Sequence, residues 1–373
     1  MSDPGTVSIK IHVEDGVLGG LFDGGLTSTQ VSFEPLAGFT EKPVGLSLPP
    51  WRFWGSKDFD LWDAAVGKRL SKIAQTRDLA RTLEDFVGRA PIGALTIVTG
   101  KRAADVLPWE VFGNYFQYES SIERYRPVRV LAPDQPWRLR AFEEALRLLL
   151  VVGHEGPEAA FDADAQRERI AAALGRLGTD TLAIFHCGTD IPTLSLSTQP
   201  RAAWTETFRN VAPHIVIYFG HGRGGAAPAL RFGPGPQDWV QLRDFTTDIA
   251  TAGAFPPFWI FLACSLGEST PNSEVIAGPE AFRVLAAHGA LTMLAMRARI
   301  RVDLAEIVAA SVIESLGAGQ SIESAAASAR YAARTSRRNT GRDLLDWAAP
   351  AVWSTGQPPQ TLTWGRAGGL SSV

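Results

Sequence analysis

Two stretches decide the fold, Ile215-Val-Ile-Tyr-Phe-Gly-His-Gly222 and Phe258-Trp-Ile-Phe-Leu-Ala-Cys-Ser265. Each begins with a short, continuous apolar run, which is typical of a strand buried on both faces of a parallel sheet. Each then ends in a reactive side chain, the imidazole of His221 or the thiol of Cys264. Because ligands bind beyond the carboxyl ends of parallel strands, neighbouring strands would present both groups at one edge of the sheet.

Three further apolar runs extend this pattern along the chain, at residues 146–152, 182–185 and 290–295. Amphipathic stretches that favour helices lie among or after the runs, at 166–177, 204–211, 275–288, 304–316 and 322–335. Strands that alternate with helices indicate an α/β fold, in which a mainly parallel sheet is sandwiched between helices.

The N-terminal region has a different pattern. Residues 6–13, 28–33 and 94–98 read as strands. Residues 60–87 carry apolar side chains at helical spacing, and residues 105–112 look like the start of another helix. We therefore expect an N-terminal α+β subdomain over residues 1–140 and an α/β core over residues 141–373.

Composition excludes several classes of partner. The chain has 36 Lys and Arg against 39 Asp and Glu, so it lacks the field that draws nucleic acid or an anionic membrane. No apolar stretch reaches the ~18 residues of a spanning helix, and no secretory signal is evident. Two cysteines cannot form a disulfide framework. We therefore expect a cytoplasmic protein with free thiols, no nucleic-acid partner and no membrane.

The His221 and Cys264 pair fits nucleophilic catalysis. A cysteine thiol is mostly protonated at neutral pH, so a nucleophilic cysteine needs an adjacent base. His221 would supply that base. The oxyanion of a tetrahedral intermediate needs main-chain N–H donors, and the candidates are those of Gly222 and Cys264.

At this point the sequence resembles the CHAT domain, a prokaryotic branch of the caspase and separase peptidases. Four elements carry the resemblance, in order along residues 90–356. They are Leu107-Pro-Trp-Glu110, Phe219-Gly-His-Gly222, Leu262-Ala-Cys-Ser265, and the strand from Gly289 with the helices that follow it. The resemblance implies a caspase-like fold whose N-terminal part is a pseudo-caspase half.

The resemblance also implies a function. It implies a cysteine endopeptidase with a His221 and Cys264 dyad that cleaves a protein substrate and needs no cofactor or metal. Similar proteins act in bacterial defence and programmed death. We therefore expect activation by a partner protein or by processing in the loop 223–237.

One segment departs from the family's pattern. The tryptophan-containing segment that usually follows the fifth strand is replaced by Met296-Arg-Ala-Arg-Ile-Arg-Val-Asp303. Its Arg297, Arg299 and Asp303 are candidate substrate-binding residues, and the arginines would favour an acidic P1 side chain. A solvated basic loop explains the same residues.

Several alternatives stay open or are set aside. His186 and Cys187 also follow a strand, but adjacent strand residues point to opposite faces, which favours packing roles. Residues 220–225 match G-x-G-x-x-G, yet the prolines and glycines after them predict a loop and hairpin rather than the helix of a dinucleotide site.

Ser265 in a serine α/β-hydrolase is a rival, weakened because His288 comes too early for the triad base. A catalytically silent interaction scaffold is the non-enzyme alternative.

Overall fold

The computed structural model describes the parts of the chain that form its sheets and their covering helices. These are residues 8–14, 17–23, 29–35, 84, 95–98, 110, 118–130, 146–152, 182–187, 200–224, 226–232, 238–253, 255–262, 280–297, 300, 302–318, 320–339 and 346–356. Cys264, Ser265 and Arg299 lie outside them, as do the predicted helix at 166–177 and most of those at 60–87 and 105–112.

Eleven of the described strands form one sheet. In sequence order they are β1 (Ser8–Glu14), β2 (Val17–Asp23), β3 (Thr29–Pro35), β4 (Leu95–Val98), β5 (Pro127–Val130), β6 (Leu146–Val152), β7 (Leu182–Cys187), β8 (Ile215–Phe219), β12 (Phe258–Leu262), β13 (Thr292–Met296) and β14 (Pro350–Ser354). Their order across the sheet is β3-β2-β1-β4-β5-β14-β13-β12-β8-β6-β7.

The sheet is mainly parallel. Strands β7, β6, β8, β12 and β13 run in one direction, whereas β14 is antiparallel to β13. On the other side of β14, strands β5, β4 and β1 run parallel to it, and β1 to β3 form an antiparallel meander. β14 is therefore the strand that joins the two sides.

Helices cover both faces of the sheet. In chain order these are α1 (Glu119–Arg124), α2 (Pro200–Val211), α3 (Leu242–Ala252), α4 (Glu280–Ala287), α5 (Val302–Gly317) and α6 (Ile322–Asn339). Helices α5 and α6 share a core with one face of β8, β12 and β13. Helices α2, α3 and α4 share a second core with the opposite face.

Alternate residues of the central strands supply the two cores. Ile215, Ile217 and Phe219 lie in the core under α5 and α6, whereas Val216 and Tyr218 lie in the core under α2 to α4. All five are at most 1% exposed. Fully burying a large apolar side chain contributes about 1.5–3 kcal/mol. This two-sided burial explains why continuous apolar runs, rather than alternating ones, form these strands.

A second, small sheet follows β8. It contains β9 (Gly222–Arg223), β10 (Ala229–Arg231) and β11 (Trp239–Gln241), in the order β11-β10-β9. Both pairings are antiparallel. The hairpin predicted after residue 225 is confirmed: the described residues between 226 and 241 include β10 and β11, whereas a dinucleotide site requires a helix there.

The α/β fold predicted from the sequence is confirmed, with shifted boundaries. The five predicted core strands correspond to β6, β7, β8, β12 and β13, and the helices at 304–316 and 322–335 correspond to α5 and α6. Strands from both sides of residue 140 share the large sheet. Within the described residues, no helix is both long enough and apolar enough to span a membrane.

Candidate active site

His221 lies directly beyond the end of β8. The preceding residue, Gly220, has a φ of 155°, in a backbone region that L side chains rarely adopt. The Gly220 N–H donates to the carbonyl of Leu262, the last residue of β12, at 3.4 Å. The chain therefore turns out of β8 on a glycine that is tied to the neighbouring strand, and the His221 side chain is exposed.

The register of β8 and β12 bears directly on the predicted dyad. These strands are parallel neighbours, and Phe219 pairs with Leu262. His221 is two residues beyond Phe219, and Cys264 is two residues beyond Leu262. Because the last residues of the two strands are paired, the strands end level at one edge of the sheet. Neighbouring strands are about 4.8 Å apart. Cys264 itself lies outside the described residues.

Tyr218 fixes the main chain around His221, a role that the sequence did not reveal. Its hydroxyl lies 2.8 Å from the carbonyl oxygens of both His221 and Arg231, to which its proton can be donated in turn. The hydroxyl also accepts from the Arg231 N–H at 3.2 Å, and that N–H donates to the His221 carbonyl at 2.9 Å. The Tyr218 hydroxyl thus links the main chain at His221 to β10.

The Tyr218 ring is held by aromatic packing. Its centroid lies 5.8 Å from that of Phe232 and 6.1 Å from that of Phe261. Phe232 also contacts Trp204 of α2 and Phe245 of α3. The position of the hydroxyl is therefore set by a packed core rather than by solvent-exposed side chains.

Gly222, the predicted oxyanion donor, begins β9 and pairs with Leu230. In an antiparallel ladder, hydrogen-bonded and non-hydrogen-bonded pairs alternate. Since Arg231 donates to His221 in the neighbouring pair, Gly222 and Leu230 form a non-hydrogen-bonded pair. The Gly222 N–H therefore points away from β10, toward the outer edge of β9.

Arg297 follows β13 directly and faces an internal partner. Its Nη1 lies 3.4 Å from Oε2 of Glu110, and its side chain is only 7% exposed. Glu110 also forms a bidentate pair with Arg129 of β5, through Nη1 to Oε1 and Nη2 to Oε2. The structure thus supplies a role for Arg297 inside the protein, while its contact with substrate stays a prediction.

Glu110 remains ionised although it is fully buried. Burial alone raises the pKa of its carboxyl, but the charge and hydrogen bonds of Arg129, with the charges of Arg297 and Arg330, outweigh it and lower the pKa to about 2. Burial in turn lowers the pKa of Arg330 to about 10, and Arg330 donates to the carbonyls of Pro350 and Tyr125. This buried charge cluster connects Glu110 to the residue that follows β13.

The other predicted site residues are placed as follows. Asp303 lies in the first turn of α5, without a described side chain. His186 and Cys187 end β7 at the edge of the large sheet, and Cys187 pairs with Val151, which pairs with Tyr218. Cys187 is thus two strands from β8. Among the described residues, no group of three His, Cys, Asp or Glu could hold a metal ion.

No protein-family model matches the chain, and no curated protein matches it.

Comparisons with solved structures do find similar folds. The structure of the Saccharomyces cerevisiae separase–securin complex matches with a TM-score of 0.50 and 10% identity, over 94% of this chain and 30% of that one. The Arg-specific cysteine proteinase gingipain R matches with a TM-score of 0.46 and 10% identity, over 74% of this chain and 66% of that one. Caspase-1 from Spodoptera frugiperda matches with a TM-score of 0.34 and 10% identity, over 61% of this chain and 93% of that one.

The separase match supports the fold, and at 10% identity it supports the fold alone. The chain has a caspase-like fold with a mainly parallel sheet between helices. It spans 30% of the separase chain and 66% of the gingipain chain.

Proposed function

We propose that this chain is a caspase-like cysteine peptidase in which Cys264 is the nucleophile and His221 is the base. One observation carries the proposal. The register of β8 and β12 brings Phe219 and Leu262 side by side, and the histidine and the cysteine each follow two residues later. The proposal places the thiol within hydrogen-bond reach of the imidazole at this edge of the sheet, which is what an activated nucleophile and its base require.

The chemistry follows from these two groups. His221 accepts the thiol proton of Cys264, and the thiolate attacks the scissile carbonyl carbon. The N–H groups of Gly222 and Cys264 bind the oxyanion of the tetrahedral intermediate. The C–N bond then breaks while His221 returns the proton to the leaving amine, which leaves a thioester on Cys264. Water activated by His221 hydrolyses the thioester and restores the thiol.

The finer proposal is a CHAT-type peptidase of a prokaryotic defence or programmed-death pathway. The ordered motifs at Glu110, His221 and Cys264 support it. Its substrate would be a protein, and a partner protein or processing within 223–237 would activate it. The chemistry requires no cofactor, because the thiol and the imidazole supply the nucleophile and the proton transfers.

The test is active-site labelling. Purified protein is treated with an acyloxymethyl-ketone probe, and the modified residue and its rate are read by mass spectrometry. We expect rapid labelling at Cys264 that disappears in Cys264→Ala and slows at least tenfold in His221→Ala. Cys187→Ala is the matched control, since Cys187 is the second of the chain's two cysteines. Labelling at equal rates with and without His221 would contradict the dyad.

A serine mechanism predicts a different result. If Ser265 were the nucleophile, a fluorophosphonate probe would label Ser265 in the Cys264→Ala variant as fast as in the wild type. The cysteine mechanism predicts no such labelling.

A further inference from the structure

We propose that Arg223, Arg231 and Trp239 form a subsite that binds an acidic side chain of the substrate, about two residues from the scissile bond. The proposal deepens the proposed function and rests on it for the identity of the substrate as a polypeptide. Its basis is the outer face of the small sheet that follows His221.

Two guanidinium groups converge on one indole. The Cζ of Arg223 lies 5.0 Å from the centroid of the Trp239 ring, and that of Arg231 lies 5.9 Å from it. Arg231 and Trp239 are direct cross-strand partners, whereas the Arg223 contact reaches across β10. Cation–π contacts of this kind contribute modestly at exposed sites and so favour these arginine conformations. The contacts therefore favour a conformation in which both guanidinium groups lie beside the Trp239 ring.

The arrangement faces outward on the side of the sheet where His221 lies. Leu230 and Phe232 alternate with Arg231 along the chain and pack in the core under α2 to α4. Successive strand residues point to opposite faces, so Arg231 and its partner Trp239 face away from that core. Consistently, Arg223 is exposed and Trp239 is half-buried.

The platform, which consists of Arg223, Arg231 and Trp239, is joined to the predicted catalytic histidine. Arg231 lies opposite His221 and donates its N–H to the His221 carbonyl at 2.9 Å. Arg223 is two residues beyond His221, and an extended chain rises by about 3.3 Å per residue. A substrate running beside β9 would therefore bring a side chain two positions from the scissile bond to Arg223, about 7 Å from the histidine.

The chemistry of the platform selects a carboxylate. Arginine presents several N–H donors in a planar fork that matches a carboxylate, and charge-assisted hydrogen bonds are about twice as strong as neutral ones. Two arginines around one ring also disfavour a cationic side chain. The exposed guanidinium of Arg223 thus presents positive charge to a ligand.

A nucleic-acid phosphate shares the anionic chemistry, but the observations favour a peptide. The whole chain has a net charge of −3, and nucleic-acid sites present extended basic surfaces rather than one pair of arginines. The location beside His221 instead suits a side chain of the polypeptide being cleaved.

The experiment measures binding separately from catalysis. Fluorescence anisotropy is recorded for the Cys264→Ala protein with two pools of fluorescein-labelled octapeptides, randomised except at one fixed position that is Asp in one pool and Asn in the other. We expect the Asp pool to bind about tenfold more tightly. Arg223→Gln and Arg231→Gln should reduce the ratio to below about threefold, and Arg223→Lys should retain part of it.

Controls make the result specific. Arg243→Gln removes another exposed arginine, on α3, and should leave the Asp to Asn ratio unchanged. Thermal unfolding of each variant shows whether it is folded. Trp239→Phe keeps an aromatic ring but weakens its cation–π contacts with Arg223 and Arg231, and it should lower the Asp to Asn ratio. A fluorescein-labelled 20-nucleotide oligothymidine tests the nucleic-acid alternative.

Each outcome is decisive. Equal binding of the Asp and Asn pools, or absence of binding by both, would overturn the subsite. Oligothymidine binding that depends on Arg223, with no preference between the peptide pools, would overturn it as well. If the Asp pool is preferred but Cys264 is not labelled by the active-site probe, the subsite stands while the peptidase proposal falls. If Cys264 is labelled but the Asp pool is not preferred over the Asn pool, the peptidase proposal stands while the subsite falls.

Discussion

At the scale of single residues, the site depends on groups that the sequence shows and on others that only the fold brings together. His221 was found from its position after an apolar run. Tyr218 was missed because a tyrosine within such a run reads as a core residue, and its hydrogen bonds to His221 and Arg231 depend on the small sheet. The pairing of Glu110 with Arg297 joins residues 187 positions apart, which a single sequence does not reveal.

Replacement of Tyr218 tests the positioning of the histidine. Tyr218→Phe keeps the buried ring but removes the hydroxyl that links His221 to β10. We expect a loss of stability of about 1 kcal/mol, the net contribution of a typical hydrogen bond. We also expect the acyloxymethyl-ketone probe to label Cys264 about tenfold more slowly, because the imidazole is less well oriented.

The measurement is the labelling rate from pH 5 to pH 9, beside urea unfolding. Tyr331→Phe, on α6, is the matched control and should label like the wild type. A purely structural hydroxyl would lower stability but leave the labelling rate and its pH profile unaltered, and that result would contradict the positioning role.

Glu110 predicts a specific dependence of stability on pH. Its pKa is about 2 in the folded protein against an ordinary value of 4.5. A lowered pKa contributes stability that is fully present above pH 4.5 and is lost as pH falls from there towards 2. The difference corresponds to about 3 kcal/mol.

Urea unfolding of the wild type and Glu110→Gln at intervals from pH 7 to pH 3 measures this contribution of the Glu110 carboxylate to the free energy of unfolding. The variant should be less stable at pH 7 by about 3–5 kcal/mol, because it leaves buried arginine charge uncompensated, and its stability should fall less on acidification. Glu123→Gln, at an exposed position of α1, should follow the wild type. If the free energy of unfolding changed with pH in the same way for Glu110→Gln and the wild type, the Glu110 carboxylate would not cause the pH dependence.

At the scale of elements, the central strands and α5 and α6 could be predicted because their patterns are strong. The strands have uninterrupted apolar runs, and the helices have long apolar periodicity. β14 was not assigned, because it is only five residues long and begins with Pro350. Proline is tolerated there because it occupies the first position of the strand. Strand order depends on contacts between distant segments, which periodicity does not report.

Helix α6 packs through small residues. Ala325, Ala326, Ala329 and Ala333 are all 0% exposed and lie in the core with α5 and the sheet. An alanine row allows the helix to approach its neighbours closely, so a larger side chain has no space. The narrow face of this helix therefore sets how near it lies to the sheet.

Ala326→Leu should destabilise the protein by about 1–3 kcal/mol through overpacking. Thr335→Leu places the same side chain at an exposed position of the same helix and should change stability by less than about 0.5 kcal/mol. Thermal and urea unfolding provide the comparison. Equal midpoints for the two variants would mean that the core adapts to the added volume.

At the scale of the whole molecule, one sheet extends across the predicted subdomain boundary at residue 140. β4 and β5 precede the boundary and β13 follows it, and β14 is hydrogen-bonded between β5 and β13. The sequence predicted a parallel sheet in the second part and a separate set of strands in the first, but not that a late strand joins them. The caspase-like architecture was expected from motifs, and the structural match at 10% identity supports it independently of them.

Because the sheet is continuous, we expect the protein to unfold in one cooperative step. Differential scanning calorimetry should show a single peak whose calorimetric and van't Hoff enthalpies agree. Trp353→Ala, at the fourth residue of β14, should lower the temperature of the whole transition, since Trp353 is 1% exposed and contacts the Arg129 guanidinium. Two resolved peaks would instead mean that the regions before and after residue 140 are independent folding units.

The location of β14 also has a consequence for the order of events during synthesis. β5 is complete once residue 130 has been made, yet its neighbour β14 ends at residue 354. On a ribosome that adds roughly 5–20 residues per second, β5 waits more than ten seconds for that partner. The two sides of the sheet therefore cannot join until β14 has been made, and β14 is the last of the described strands to be synthesised.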